Sequence, residues 1–147
     1  MKLKIAWIGK TKDPAIQSLT GEYLKRLTYF AEAEALVLTS EAQLIKLRQR
    51  SGARPAHSLV LLDSRGKQLT SEELAQFLEN HQNHNPHPLL FAVGPANGFS
   101  EAARKSASTI LSLSKMTMAH EIARIVLLEQ LYRSFSILRG HPYHLGH

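Results

Sequence analysis

The chain has no cysteine among its 147 residues. That excludes a disulfide framework and any thiolate metal site. Long apolar runs are also missing. The most apolar helical stretch, 122–131, is broken by Arg124 and Glu129 and is too short to cross a bilayer. The N-terminal MKLKIAWIGK has an apolar stretch of only four residues, 5–8, too short for a signal peptide and better read as a buried first strand. A cytoplasmic home is the default expectation. There is no internal repeat and no block of like charge. Neither GxGxxG nor a P-loop GxxxxGK[ST] occurs.

What is present is a globular composition: 44% apolar and 20% charged residues. The length suits one domain with a real core. Lys and Arg number 18 against 12 Asp and Glu, giving a net charge of +6. An excess of that sign favours an anionic partner such as nucleic acid, although many small basic proteins bind none. Because the basic residues are scattered, a binding surface would have to be assembled by folding, across one subunit or two.

Short apolar runs alternate with amphipathic stretches. Strands are expected over 3–9, 35–39, 58–63, 88–93 and 109–113. Helices are expected over 14–27, 40–49, 70–80, 101–107 and 119–139. Asp13 and Pro14 open the first helix, Thr70 and Glu73 form a capping box, and Gly140 ends the last helix. SLVLLD and PLLFAV read as buried central strands. The alternation predicts an α/β fold with a largely parallel sheet. Residues 81–88, HQNHNPHP, read as a loop inside the domain.

In an open parallel sheet, ligands bind beyond the carboxyl ends of the strands. Those ends carry three segments: 63–67, DSRGK; 94–98, GPANG; and 113–118, LSKMTM. Glycines in the second permit close backbone approach. Met116 and Met118 in the third are pliable walls for a flat ring or fillers of core gaps. Arg133 follows Glu129 by four residues, the favourable spacing for a helix-surface ion pair, and Arg124 has Glu121 nearby in the same way. Nine residues apart, the two arginines face roughly opposite sides of the helix. The closing HPYH offers His141, Tyr143 and His144. Pro142 favours an extended His141, which would point His141 and Tyr143 one way and His144 the other. These groups suit a general base, a hydrogen-bond donor to phosphate or a stacking partner for a base. A solvated terminus is the alternative. A metal site lacks support, because no carboxylate lies near the tail in sequence.

Taken together, the MKLKIAWIGK start, LLDSRGKQLTSEELA, the turn over 93–98, LSLSKMTMAHEIARIVLLEQLYRSFSILRG and the closing HPYH resemble a known family over the whole chain. This is the family of small bacterial SPOUT methyltransferases that methylate N3 of a pseudouridine in large-subunit (23S) ribosomal RNA. The resemblance implies a single SPOUT domain over 1–147 with a C-terminal trefoil knot over about 88–147. It implies an obligate homodimer, S-adenosylmethionine as methyl donor, no metal, and ribosomal RNA within the ribosome as partner. It places cofactor contacts at Leu62, Gly94, Leu113, Ser114, Lys115, Met116, Thr117 and Met118. It places Arg133, His141, Tyr143 and His144 at an active site on the dimer interface. Two departures stand out. Pro95 removes a backbone N–H from the glycine turn, and the tail runs on through Leu145, Gly146 and His147. Two other readings differ in class: a flavodoxin-like binding module for a nucleotide or RNA, and a metal-dependent hydrolase using the histidine tail.

Overall fold

A computed structural model describes residues 1–48 and 57–145. Gln49, the expected end of the second helix, and Gly146 and His147 of the tail lie outside the described residues. Five strands form one all-parallel sheet: β1 (Lys2–Ile8), β2 (Glu32–Leu38), β3 (Ser58–Gln68), β4 (Leu89–Val93) and β5 (Thr109–Ser112). Their order is β2-β1-β4-β3-β5. Five helices alternate with them: α1 (Pro14–Leu27), α2 (Glu41–Arg48), α3 (Ser71–His84), α4 (Glu101–Ser106) and α5 (His120–Leu138).

All five residues of β4 are buried, as its unbroken apolar run requires. One face of the sheet contributes Leu3, Ile5, Val60, Leu89 and Phe91 to a core completed by Leu27 of α1, Leu78 of α3, and Leu127, Leu131 and Phe135 of α5. The other face places Ala6, Leu59, Leu61, Leu90 and Ala92 against Leu44 of α2 and Ala103 of α4. The molecule therefore has three layers. Each fully buried leucine contributes about 1.5–3 kcal/mol by leaving water. Among the described residues no helix is long and apolar enough to cross a membrane.

Local signals set most boundaries. Asp13 accepts a hydrogen bond from Ala15 N–H at 2.8 Å. Thr70 and Glu73 form the reciprocal capping box, with bonds of 3.1 and 2.8 Å. At the end of α5, His141 N–H donates to Ser136 O and Gly140 N–H to Ile137 O. This paired pattern needs a left-handed residue, and Gly140 has φ 66°.

Three expectations need correction. β2 begins at Glu32, not 35, because Glu32 and Glu34 occupy its solvent face. α3 runs on to His84, through half of the expected 81–88 loop. His81 Nε2 meets His87 O at 2.8 Å and Asn85 N–H closes on His81 O, so the turn begins later. β3 runs to Gln68, through the segment expected to be a strand-end loop. Leu62 and Lys67 both pair with Leu111, so the residues between them bulge out and the strand rejoins β5.

Candidate active site: a cleft at the strand ends and a docked C-terminal tail

The carboxyl ends of β3, β4 and β5 converge with the first turn of α5 on a cleft of about 360 Å³. Leu62, Asp63, Ser64 and Arg65 supply one wall, residues 93–98 a second, and Leu113, Ser114, Met116, Thr117 and Met118 a third. His120 and Ala123 of α5 close the base. Each of the three segments expected from sequence contributes, the first only through residues 63–65, with Leu62 and Gly94 among the lining residues. Lys115 is exposed and stands outside that lining.

Gly94 is required by packing. A Cβ there would come within 2.9 Å of the Phe99 ring. Gly98 has φ 81°, and its N–H bonds Pro95 O at 2.9 Å, which closes the turn. Ser114 Oγ accepts from Met116 N–H at 3.0 Å and shapes the third wall. Met116 itself is 79% exposed. A core-filling role does not explain it, whereas a methionine at the rim of a cleft suits contact with a ligand. Burial pushes the Asp63 carboxyl up. Hydrogen bonds from the Arg65 N–H and guanidinium, with the arginine charge, outweigh this and hold it below the ordinary aspartate value. Asp63 is therefore an ionised, committed carboxylate.

The donor set suits a nucleoside-bearing methyl donor. Aliphatic and thioether side chains supply walls for a flat ring, and Ser64, Asn97, Ser114 and Thr117 offer hydrogen-bonding groups. The volume falls in the range of small-molecule sites. His120 was not singled out from sequence; its signal was a histidine opening the longest helix immediately after the methionine loop.

The tail forms a second cluster, and it does not extend. Residues 142–145 make a turn, and Tyr143 N–H donates to His141 Nδ1 at 3.2 Å, pulling the chain back on itself. This local bond and the docking of Tyr143 override the extended preference that Pro142 imposes. Tyr143 packs edge-on against Tyr132 with centroids 4.7 Å apart, and its hydroxyl donates to Glu129 Oε2 at 2.9 Å. Tyr23 Oη lies 3.3 Å away. Burial, then these bonds and the carboxylate, push the Tyr143 phenol well above its ordinary value. It stays protonated at neutral pH, a hydrogen-bond donor and not a base.

His144 is also docked. Its Nδ1 lies 3.0 Å from Arg133 Nη1, and its Nε2 lies 2.8 Å from Glu72 Oε1. Arginine can only donate and an ionised carboxylate can only accept. Those partners suit the tautomer with the hydrogen on Nε2. The expected Glu129–Arg133 pair is present at 2.8 Å. Its hydrogen bonds raise the arginine further above its ordinary value, so Arg133 is permanently cationic. His141 is exposed.

Arg124 differs from expectation. It is fully buried. Its Nη1 donates to Thr11 Oγ1 at 2.8 Å and its Nη2 to Ile8 O at 3.1 Å. Glu121, its expected partner, instead accepts from Lys12 and Asp13 N–H, each at 3.1 Å. Arg124 and Arg133 do serve different sides of α5. Among the described residues no group of three His, Asp or Glu side chains gathers in a metal-binding arrangement.

The family model described as "Predicted SPOUT methyltransferase" matches residues 1–144. The chain belongs to the SPOUT methyltransferase family. It is 56% identical over 147 residues, covering all of both chains, to the ribosomal RNA large subunit methyltransferase H of Koribacter versatilis. The protein of that name from Gloeobacter violaceus is 42% identical, over 99% of this chain and all of its own length. Among solved structures, a probable rRNA-methyltransferase from Porphyromonas gingivalis superposes with a TM-score of 0.54 at 15% identity, covering 94% of this chain and 69% of its own. A crystal structure of a hypothetical protein gives 0.56 at 18% identity, covering 95% and 89%. At those identities the structural likeness speaks for the fold alone. A SPOUT methyltransferase needs a methyl donor, and the cleft is where the fold places a ligand.

Proposed function

We propose that this SPOUT methyltransferase uses S-adenosylmethionine to methylate N3 of a pseudouridine in large-subunit (23S) ribosomal RNA. It acts as a cytoplasmic homodimer on the assembled ribosome. The observation that carries the reading is the convergence of three strand-end loops on one cleft, in a chain 56% identical over its full length to a ribosomal RNA large subunit methyltransferase H. Leu62, Gly94, Leu113, Ser114, Met116, Thr117 and Met118 would hold the donor, with Lys115 at the edge of the loop. When bound, S-adenosylmethionine supplies an electrophilic methyl group. The same reading carries a trefoil knot in the C-terminal part of the chain.

The rest of the chemistry belongs to the chain. Neutral N3 of the target base carries a proton and has no available lone pair. The protein must accept that proton or stabilise the anion its loss creates. Arg133, always charged, is assigned to an anionic carbonyl oxygen or a phosphate. Tyr143, held protonated, is a hydrogen-bond donor. The acceptor nitrogens available for proton uptake are His144 Nδ1 and His141 Nδ1. In the docked tail these are engaged by Arg133 and by Tyr143 N–H. Entry of the base must exchange those partners. Holding the base beside the donor supplies much of the acceleration.

The homodimer rests on geometry. Arg133 lies ten residues along α5 from Ala123, which is about 15 Å at 1.5 Å per residue. Among the described residues, neither it nor any tail residue lines the cleft of its own chain. A cleft from one copy and a tail from another would complete one site. Leu19 of α1 and Ile122 of α5, 43% and 48% exposed, are apolar surface for such a contact.

The test is transfer of labelled methyl from S-adenosylmethionine to ribosomes lacking the modification, with nucleotide mapping of the product. Label at N3 of one pseudouridine in large-subunit RNA is expected. Absence of label on ribosomes, subunits and naked RNA, with folded dimer present, would overturn the reading in favour of a binding module.

A further inference from the structure

Burying an arginine is costly unless its charge is compensated. Arg124 is fully buried with no carboxylate at ion-pair distance among the described residues, and its Nε has no hydrogen-bond partner there. What it does is hold a loop. Its two terminal nitrogens bind Thr11 Oγ1 and Ile8 O. Three residues earlier on α5, Glu121 accepts both Lys12 and Asp13 N–H. Gly9, with φ 92°, makes the turn out of β1 and donates to Leu38 O at 2.8 Å. Asp13 then caps α1. Residues 8–13 are thus fixed at both ends and in the middle.

The side chains this clamp leaves in solvent are Lys10 and Lys12. Both are exposed, and neither forms an ion pair among the described residues. The same turn of α5 that grips the loop through Glu121 and Arg124 lines the cleft through His120 and Ala123. The loop that carries the lysines is therefore held by the same helical turn that lines the cleft. Two ammonium groups on an immobilised backbone near a cleft whose donor must meet an RNA base are suited to phosphates of a polynucleotide, which a point charge binds without fixed geometry.

We infer that Lys10 and Lys12 form a phosphate-contacting rim for the RNA strand whose target base meets the donor at the cleft mouth, and that Arg124 and Glu121 are the clamp that holds this rim in place. The inference rests on the proposed methyl transfer to RNA and adds the surface that grips the strand. The test is the double variant Lys10→Ala/Lys12→Ala, assayed for methyl transfer to unmodified ribosomes across a salt series. S-adenosylmethionine binding is measured separately by calorimetry. Expected are unchanged donor affinity, a raised KM for ribosomes, and a log–log salt slope shallower by up to about two, one per lost phosphate contact. Lys10→Arg/Lys12→Arg should restore both KM and slope. An unchanged KM and slope would overturn the inference. So would a raised KM with an unchanged slope, which would mark a contact to ribosomal protein in place of phosphate. If the unaltered protein transfers no methyl group at all, the functional reading fails, a result separable from either of these.

Discussion

The residue types of the tail make His144 a candidate and the family resemblance adds Arg133; the structure brings the two within 3.0 Å of each other. The spacing of Glu129 and Arg133 made their ion pair legible. The contact to Glu72, 72 residues away from His144, was not, because no local pattern encodes a long-range partner. Arg124 differs from its local pattern for a related reason. A carboxylate three residues away looks like a helix-surface partner, and only tertiary packing reveals that Glu121 and Arg124 both turn to the loop after β1. Arg133→Ala removes the permanent cation, and His144→Ala removes a nitrogen that can take a proton. Each is expected to abolish methyl transfer while leaving the far-UV circular dichroism that of the parent, since neither side chain belongs to the apolar core on either face of the sheet. Full activity in both variants would refute their assignment to the active site.

Most elements were legible because they carry their own punctuation. α1 matches its expected bounds from Asp13 and Pro14, and the end of α5 follows from Gly140. β3 was legible only to Asp63. Beyond it the sequence turns polar, and nothing local says that Lys67 and Gln68 pair with β5 again. The trace that remains is Gly66, where an added Cβ would lie 2.7 Å from the carbonyl carbon of Leu111 and 2.8 Å from Ile110 O. Those neighbours are backbone and cannot rotate away. Gly66→Ala should therefore destabilise the fold by about 1–3 kcal/mol, the usual cost of overpacking. A denaturant titration would register this as a lowered midpoint at unchanged slope. Because the displaced strand borders the cleft, donor affinity should fall as well. A variant as stable as the parent would mean that β3 does not run against β5 in this way.

At the scale of the whole molecule, charge and assembly govern behaviour. The Asp63, Glu72, Glu73 and Glu121 carboxyls are all held below their ordinary values. Asp63 owes this to Arg65, Glu72 to its own backbone N–H and then His144, and Glu73 to Thr70. Glu121 owes it to the N–H groups of Asp13 and Lys12. A carboxyl whose value is depressed on folding contributes stability above its unfolded value, and that stability is lost as pH falls through the folded one. The urea midpoint should be highest near neutrality and fall steadily below about pH 4.5; a flat profile into the acid range would contradict these shifts.

Assembly yields a sharper expectation. If the cleft of one copy works with the tail of another, two dead variants should rescue each other. Thr117→Trp fills the cleft, and Arg133→Ala disables the tail. After mixing in equal amounts and exchange of subunits, half the dimers are mixed, and each mixed dimer keeps one intact site of two. Methyl transfer should return to about a quarter of the parent rate per chain, as two-fold symmetry dictates. A site built within one chain gives no rescue, because every chain then carries a broken site. The outcome distinguishes the two arrangements even though the 15 Å along α5 is the same in both.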